Sequence, residues 1–183
     1  MNTQKTLRDS IKFKGVGLHT GCNVNMVLEP AKENYGIKFQ RIDIEKSPII
    51  AANIDFVNET QRSTTLEKDG IKIVTVEHLM SALYALGVTN VLIKLDNLEV
   101  PILDGSAKYF VDGIQKVGLK VQNAPLKTIK LPDSIRYTDK ESGSEILFVP
   151  ANNFTLSALL DYENPVLGTC LLYTSPSPRD ETK

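Results

Sequence analysis

Tryptophan is absent from this 183-residue chain, and histidine and cysteine occur only twice each. Two cysteines, Cys22 and Cys170, make no disulfide framework, and neither belongs to a C-x-x-C pair. Two histidines, His19 and His78, leave few imidazoles for any metal site. No apolar run approaches the roughly 20 residues that a membrane span requires. Residues 1–6 lack the apolar stretch of a secretory signal, so a cytoplasmic setting is expected. Neither sign of charge prevails, with 21 basic and 22 acidic residues, and no basic cluster suggests a nucleic-acid partner. Apolar residues make up 42% of the chain, enough for the core of one full domain and the beginning of another.

The pattern centres on one predicted helix over residues 75–87. Val76, Leu79, Met80, Leu83 and Leu86 recur at helical spacing, with Thr75 as a candidate N-cap and Gly87 as a candidate C-terminal stop. His78, Ser81, Ala82 and Ala85 are expected on the opposite face. Small residues there, in place of Lys and Glu, suggest that a second layer packs closely against it. The first turn holds Glu77 beside His78. In one reading Glu77 complements the helix N-terminus and His78 is a satisfied core residue. In the other His78 ligates a metal, and Glu77, about 100° round the helix, serves as general base for a water beside it. The pair is not the H-E-x-x-H zinc pattern.

Upstream, residues 10–14 read as a strand that enters Gly15-Val16-Gly17-Leu18-His19-Thr20-Gly21. This loop is either a hairpin connection or a site loop offering His19 and backbone N–H groups. Residues 23–28 and 36–41 read as further strands. Asp69-Gly70 between apolar runs is a type I′ hairpin signal, and the hairpin leads directly into the predicted helix. Arg62, just before it, suits either solvent or a phosphate. Residues 89–95 form a mostly apolar, and therefore central, strand. Pro101-Ile102-Leu103-Asp104-Gly105-Ser106 follows. Asp104 is either a turn residue or a carboxylate near the histidines, and Ser106 caps a second helix over 107–117.

Residues 121–125 read as a linker. Four antiparallel strands are expected after it, over 126–131, 134–138, 145–149 and 154–160, without a helix, as at the opening of a second domain. The run Cys170-Leu171-Leu172-Tyr173-Thr174-Ser175-Pro176-Ser177-Pro178-Arg179-Asp180 has no helical or strand period. It resembles a translated sequencing-library adapter, which puts the end of the natural sequence near Thr169. The organisation expected is therefore a first α/β sandwich domain over 1–122, the truncated start of a second over 123–169, and a non-native tail over 170–183.

Three segments line up in order: the loop 15–21, Thr75-Val76-Glu77-His78-Leu79, and Pro101-Ile102-Leu103-Asp104-Gly105-Ser106. Together they resemble the UDP-3-O-acyl-N-acetylglucosamine deacetylases, zinc enzymes of lipid A biosynthesis. The resemblance covers residues 6–169. It implies an α+β fold of two sandwich domains whose helices pack together in the middle, with the missing second domain lying on helix 75–87. It implies that His78 is a zinc ligand and that Glu77 is the base for a water that attacks the acetamide, releasing acetate. Leu18, His19 and Asp104 match positions near the active site, and Arg62 and Ser63 match a segment near the substrate passage. In the family, the remaining zinc ligands belong to a His-Lys-x-x-Asp segment that this chain does not contain, so the fragment itself is expected to be inactive. Some relatives carry a fused hydroxyacyl-carrier-protein dehydratase. A non-catalytic α/β binding module and a different metal hydrolase are the alternatives.

Overall fold

A computed structural model describes residues 3–152, 154–162, 164, 166 and 168–173. The chain divides into two compact units, Met1–Lys127 and Thr128–Lys183.

In chain order the first unit contains β1 (Thr3–Leu7), β2 (Ile11–Val16), β3 (Asn23–Pro30), β4 (Ile37–Arg41) and β5 (Ile49–Ala51). A single 3-10 turn, Ile54–Phe56, leads to β6 (Val57–Glu59), β7 (Thr65–Lys68) and β8 (Ile71–Ile73). Helix α1 (Glu77–Leu86), β9 (Val91–Leu95), helix α2 (Lys108–Val117) and β10 (Leu119–Pro125) complete it. The main sheet has the order β2-β3-β9-β4-β5, with β9 parallel to β4 and the other pairings antiparallel. β9 is thus central, as its apolar run predicts.

Alternation fixes which face of this sheet is covered. Val24, Met26 and Leu28 of β3, Phe39 of β4 and Val91, Ile93 and Leu95 of β9 are buried in one cluster with Leu79 and Leu83 of α1 and Phe110 and Ile114 of α2. Phe13 meets Phe110 edge-on, with ring centroids 5.2 Å apart. The architecture is α+β, a mixed sheet backed by two helices. Ala82 differs from the expectation. It lies in the core, and of the predicted small face only Ser81 and Ala85 are exposed, with His78 half-buried.

The Asp69-Gly70 hairpin forms as expected, with φ of 52° and 76° at its two central residues. Helix α1 ends at Gly87, where the Val88 N–H bonds back to the Leu83 carbonyl at 2.9 Å. One expectation fails here. Residues 121–125 are not a linker: β10 pairs with β1, so both ends of the unit share one two-stranded sheet. β1 itself shows no apolar alternation. It is held by a buried amide network centred on Asn90. The Asn90 side-chain N–H groups donate to Gln4 Oε1 (2.8 Å) and Gln122 Oε1 (2.7 Å), its Oδ1 accepts from the Gly36 N–H (2.8 Å), and its carbonyl accepts from Thr6 Oγ1 (2.7 Å).

Among its described residues the second unit contains two hairpins, β11 (Ile135–Thr138) with β12 (Glu145–Phe148) and β13 (Ser157–Asp161) with β14 (Thr169–Tyr173). Residues 126–131 are not a strand. Residues 170–173, expected to lack regular structure, pair in β14, while 174–183 lie outside the described residues. Ile135, Tyr137, Ile146, Phe148, Leu159 and Leu172 are about half exposed or more, so these hairpins do not build a core of their own.

Two outcomes follow from this packing. Asn90→Ala removes the Asn90 side-chain partners of Gln122 Oε1 and the Gly36 N–H, while Gln4 Oε1 keeps the Asn34 N–H, and is expected to destabilise the first unit by about 2 kcal/mol in urea unfolding. The whole chain is expected to bind a hydrophobic dye, and the same chain ended at Lys127 to bind several-fold less. Equal dye binding by both forms would place the exposed patch on the first unit.

Candidate functional site

The three segments singled out in the sequence are brought together by main-chain bonds. The Ile102 N–H donates to the Val16 carbonyl at 3.0 Å, which lays the Pro101–Ser106 segment along the glycine loop. Val74 bridges to Glu99 in parallel register, with its N–H on the Leu98 carbonyl and its carbonyl accepting from the Val100 N–H. The residues that lead into α1 therefore lie beside those that lead into Pro101.

Between these segments sits Glu99, only 1% exposed. Its Oε1 accepts from the His19 N–H (3.0 Å) and Thr75 Oγ1 (2.8 Å), and its Oε2 from the Thr20 N–H (2.8 Å) and Thr20 Oγ1 (2.7 Å). Burial pushes this carboxyl toward the neutral form. The donors on His19, Thr20 and Thr75 outweigh burial and hold it below the ordinary glutamate range. The loop closes over Glu99 because residue 17 is glycine: a Cβ there would collide with the Glu99 carboxylate and the Thr20 hydroxyl. The N–H groups that the loop was expected to offer are thus already taken at positions 19 and 20. The Thr20 hydroxyl is taken as well, while the Leu18 and His19 side chains are exposed on this fixed main chain.

Thr75 is not the N-cap. It has φ of 59°, in the left-handed region, where a β-branched residue costs on the order of 1–3 kcal/mol, and its hydroxyl is turned to Glu99. Val76 takes the cap position without a side-chain bond. Glu77 opens α1, and its Oε2 accepts from the Thr64 N–H at 3.0 Å, while the Val76 N–H reaches the Thr64 carbonyl at 3.3 Å. The segment containing Arg62 and Ser63 is in this way tied to the start of the helix. Arg62 is exposed with φ of 63°, and Ser63 is half-buried. The His78 side chain is half-buried one position further on.

Asp104 acts locally. Its carboxylate accepts from the Ser106 N–H (3.0 Å) and hydroxyl (2.9 Å), and Ser106 Oγ in turn accepts from the Lys108 N–H at 3.1 Å, starting α2. The Ser106 backbone bond is the main reason the Asp104 carboxyl sits below its usual range. An open cavity of about 390 Å³ lies beside it, lined by Phe13, Lys14, Leu103, Asp104 and Tyr109.

Glu99 and Thr64 escaped the sequence reading. A glycine-rich loop whose N–H groups need an acceptor, together with one carboxylate inside Leu98-Glu99-Val100-Pro101, was the available signal for Glu99. The Thr64 N–H carried none. No three His, Cys, Asp or Glu side chains converge as a metal site among the described residues. His78 is a single candidate donor, so the described residues do not by themselves fit a zinc ion.

The family model for UDP-3-O-acyl N-acetylglycosamine deacetylase matches residues 4–180. The chain is 46% identical to a bifunctional LpxC/FabZ enzyme of Bacteroides thetaiotaomicron, over 91% of this chain and 36% of that protein. It is 45% identical to a UDP-3-O-acyl-N-acetylglucosamine deacetylase of Chromohalobacter salexigens, over 91% of this chain and 54% of that protein. The Pasteurella multocida deacetylase is 40% identical over 92% of this chain and 55% of its own length. The chain therefore spans about half, or less, of the curated relatives it matches. With the match running through the glycine loop, the start of α1 and the segment after β9, the chain belongs to the UDP-3-O-acyl N-acetylglycosamine deacetylase family.

Proposed function

We propose that this chain is the N-terminal part of an enzyme that hydrolyses the acetamide of UDP-3-O-acyl-N-acetylglucosamine to the free amine and acetate, as the names of its relatives state for them. The observation that carries the reading is the fixed Glu77 carboxylate at the start of α1. One of its oxygens is held by the Thr64 N–H, which orients the other for a proton. Glu77 would take a proton from the attacking water and pass it to the departing amine nitrogen. His78, beside it on the same turn, would be one donor to zinc, with the remaining donors supplied by protein beyond the described residues. Zinc, once bound there, would supply a more acidic water and polarise the carbonyl.

Leu18 and His19, on the loop fixed by Glu99, would line the substrate, and Arg62 and Ser63 would border its passage. Asp104 would shape the site through its turn. Protein of a second domain beyond the described residues would cover the outer face of α1, where Ser81 and Ala85 are exposed. A UDP-sugar substrate suits a cytoplasmic enzyme. No described helix is long and apolar enough to cross a membrane.

In the longer protein that contains these residues, Glu77→Ala is expected to lower kcat by about a thousandfold while zinc content stays at the wild-type level. His78→Ala is expected to lower both. Metal lost from the Glu77 variant and kept in the His78 variant would exchange the two roles. The 183-residue chain alone is expected to release zinc to a mild chelator, because it gathers one donor where catalytic sites use about three. Tight stoichiometric zinc binding by this chain would show that the donor assignment is wrong.

A further inference from the structure

A buried carboxylate with no ion pair among the described residues is an unusual choice for a loop clamp, because each bond it lacks leaves charge uncompensated. Glu99 is compensated by four hydroxyl and backbone donors, and those donors come from two places. His19 and Thr20 belong to the glycine loop. Thr75 belongs to the entry of α1, two residues before Glu77.

Thr75 is the pivot of that entry. Before it, Val74 is fixed on both sides by bonds to Leu98 and Val100. After it, Val76 is fixed by Thr64, and the helix begins. The turn from one to the other is made at the left-handed φ of Thr75, a conformation that a threonine does not hold without help. The 2.8 Å bond from its hydroxyl to Glu99 Oε1 is that help. The direction of the first turn of α1, and the reach of Glu77 to the Thr64 N–H, both depend on it.

We propose that Glu99 is a positioning residue for the reaction: through Thr75 it sets the orientation of Glu77 and His78, and through His19 and Thr20 it sets the opposing loop, so that one carboxylate holds both sides of the site in register. This rests on the reading of Glu77 as the base.

The test uses Glu99→Gln, the pair Thr75→Ser and Thr75→Val, and the double variant Glu99→Gln/Thr75→Gly, all in the longer protein and at a temperature where each is folded. Glu99→Gln is expected to lower kcat by about tenfold to a hundredfold and also to raise KM, because the base is displaced and the loop carrying Leu18 and His19 loses its acceptor. Thr75→Val, which loses only the hydroxyl, is expected to show the same loss of kcat, and Thr75→Ser, which keeps it, to behave as wild type. Glycine at position 75 adopts the left-handed φ unaided, so the double variant is expected to recover most of the lost kcat.

A second readout does not need activity. In the 183-residue chain the Thr64 amide resonance reports the bond to Glu77. It is expected to move in Glu99→Gln and Thr75→Val and to stay in Thr75→Ser. Unchanged kcat in Glu99→Gln and Thr75→Val, or a loss of kcat that glycine at 75 does not restore, would overturn the proposal, while the raised KM of Glu99→Gln, which comes from the loop, is expected to persist in the double variant. If Glu99→Gln does not fold, the Thr75 pair decides. If the longer wild-type protein does not deacetylate, the functional reading fails, and the Thr64 amide then decides the positioning role alone.

Discussion

The buried Glu99 carboxylate is the interaction on which the site depends. A glycine-rich loop leaves backbone N–H groups that hydrogen-bond neither to a strand nor to a helix, and groups of that kind must find an acceptor when water is excluded. Here one carboxylate accepts from the main chain at His19 and Thr20 and from two hydroxyls. The loop is consequently rigid at its backbone while Leu18 and His19 remain exposed. Rigid main chain with free side chains is the arrangement a binding loop needs, since little entropy is left to lose on binding.

The same logic applies at the start of α1. The helix is not placed by a side-chain cap, since Val76 offers none. It is placed by bonds made just before and within its first turn: Thr75 to Glu99, the Val76 N–H to Thr64, and the Thr64 N–H to Glu77. The remaining turns are held by burial of Leu79, Ala82 and Leu83 against the main sheet. Packing thus fixes where the helix lies, and polar bonds at its N-terminus fix how its first side chains are presented. Glu77 and His78 sit where the two constraints meet.

The two units differ in how they are stabilised. In Met1–Lys127, alternation on three adjacent strands buries one sheet face under two helices, and the Asn90 amide network joins the ends of the unit. In the second unit each hairpin satisfies its backbone in pairs, but its apolar side chains stay uncovered. Two-stranded hairpins have no second layer to bury such residues.

Local chemistry was enough to read several elements directly from the sequence. The Asp69-Gly70 hairpin, the Ser106 start of α2, the Gly87 end of α1 and the central strand β9 each depend on residues close together in the chain. So did the presence of Glu77 and His78 on the first turn of a helix, and the three segments that carry the family resemblance. What the sequence could not reveal rests on pairings across long separations. β1 was invisible because its partners in β10 are more than a hundred residues away and two of its three buried side chains, Gln4 and Thr6, are polar. Ala82 was assigned to the outer face because size alone does not say which side of a helix is covered. Thr75 resembled a cap, and only the Glu99 carboxylate, 24 residues further along, turns it into a left-handed pivot. The sequence determined the elements and the residue types at the site. The tertiary structure decided their orientation, because the donors and the acceptor that set it meet only after the sheet has formed.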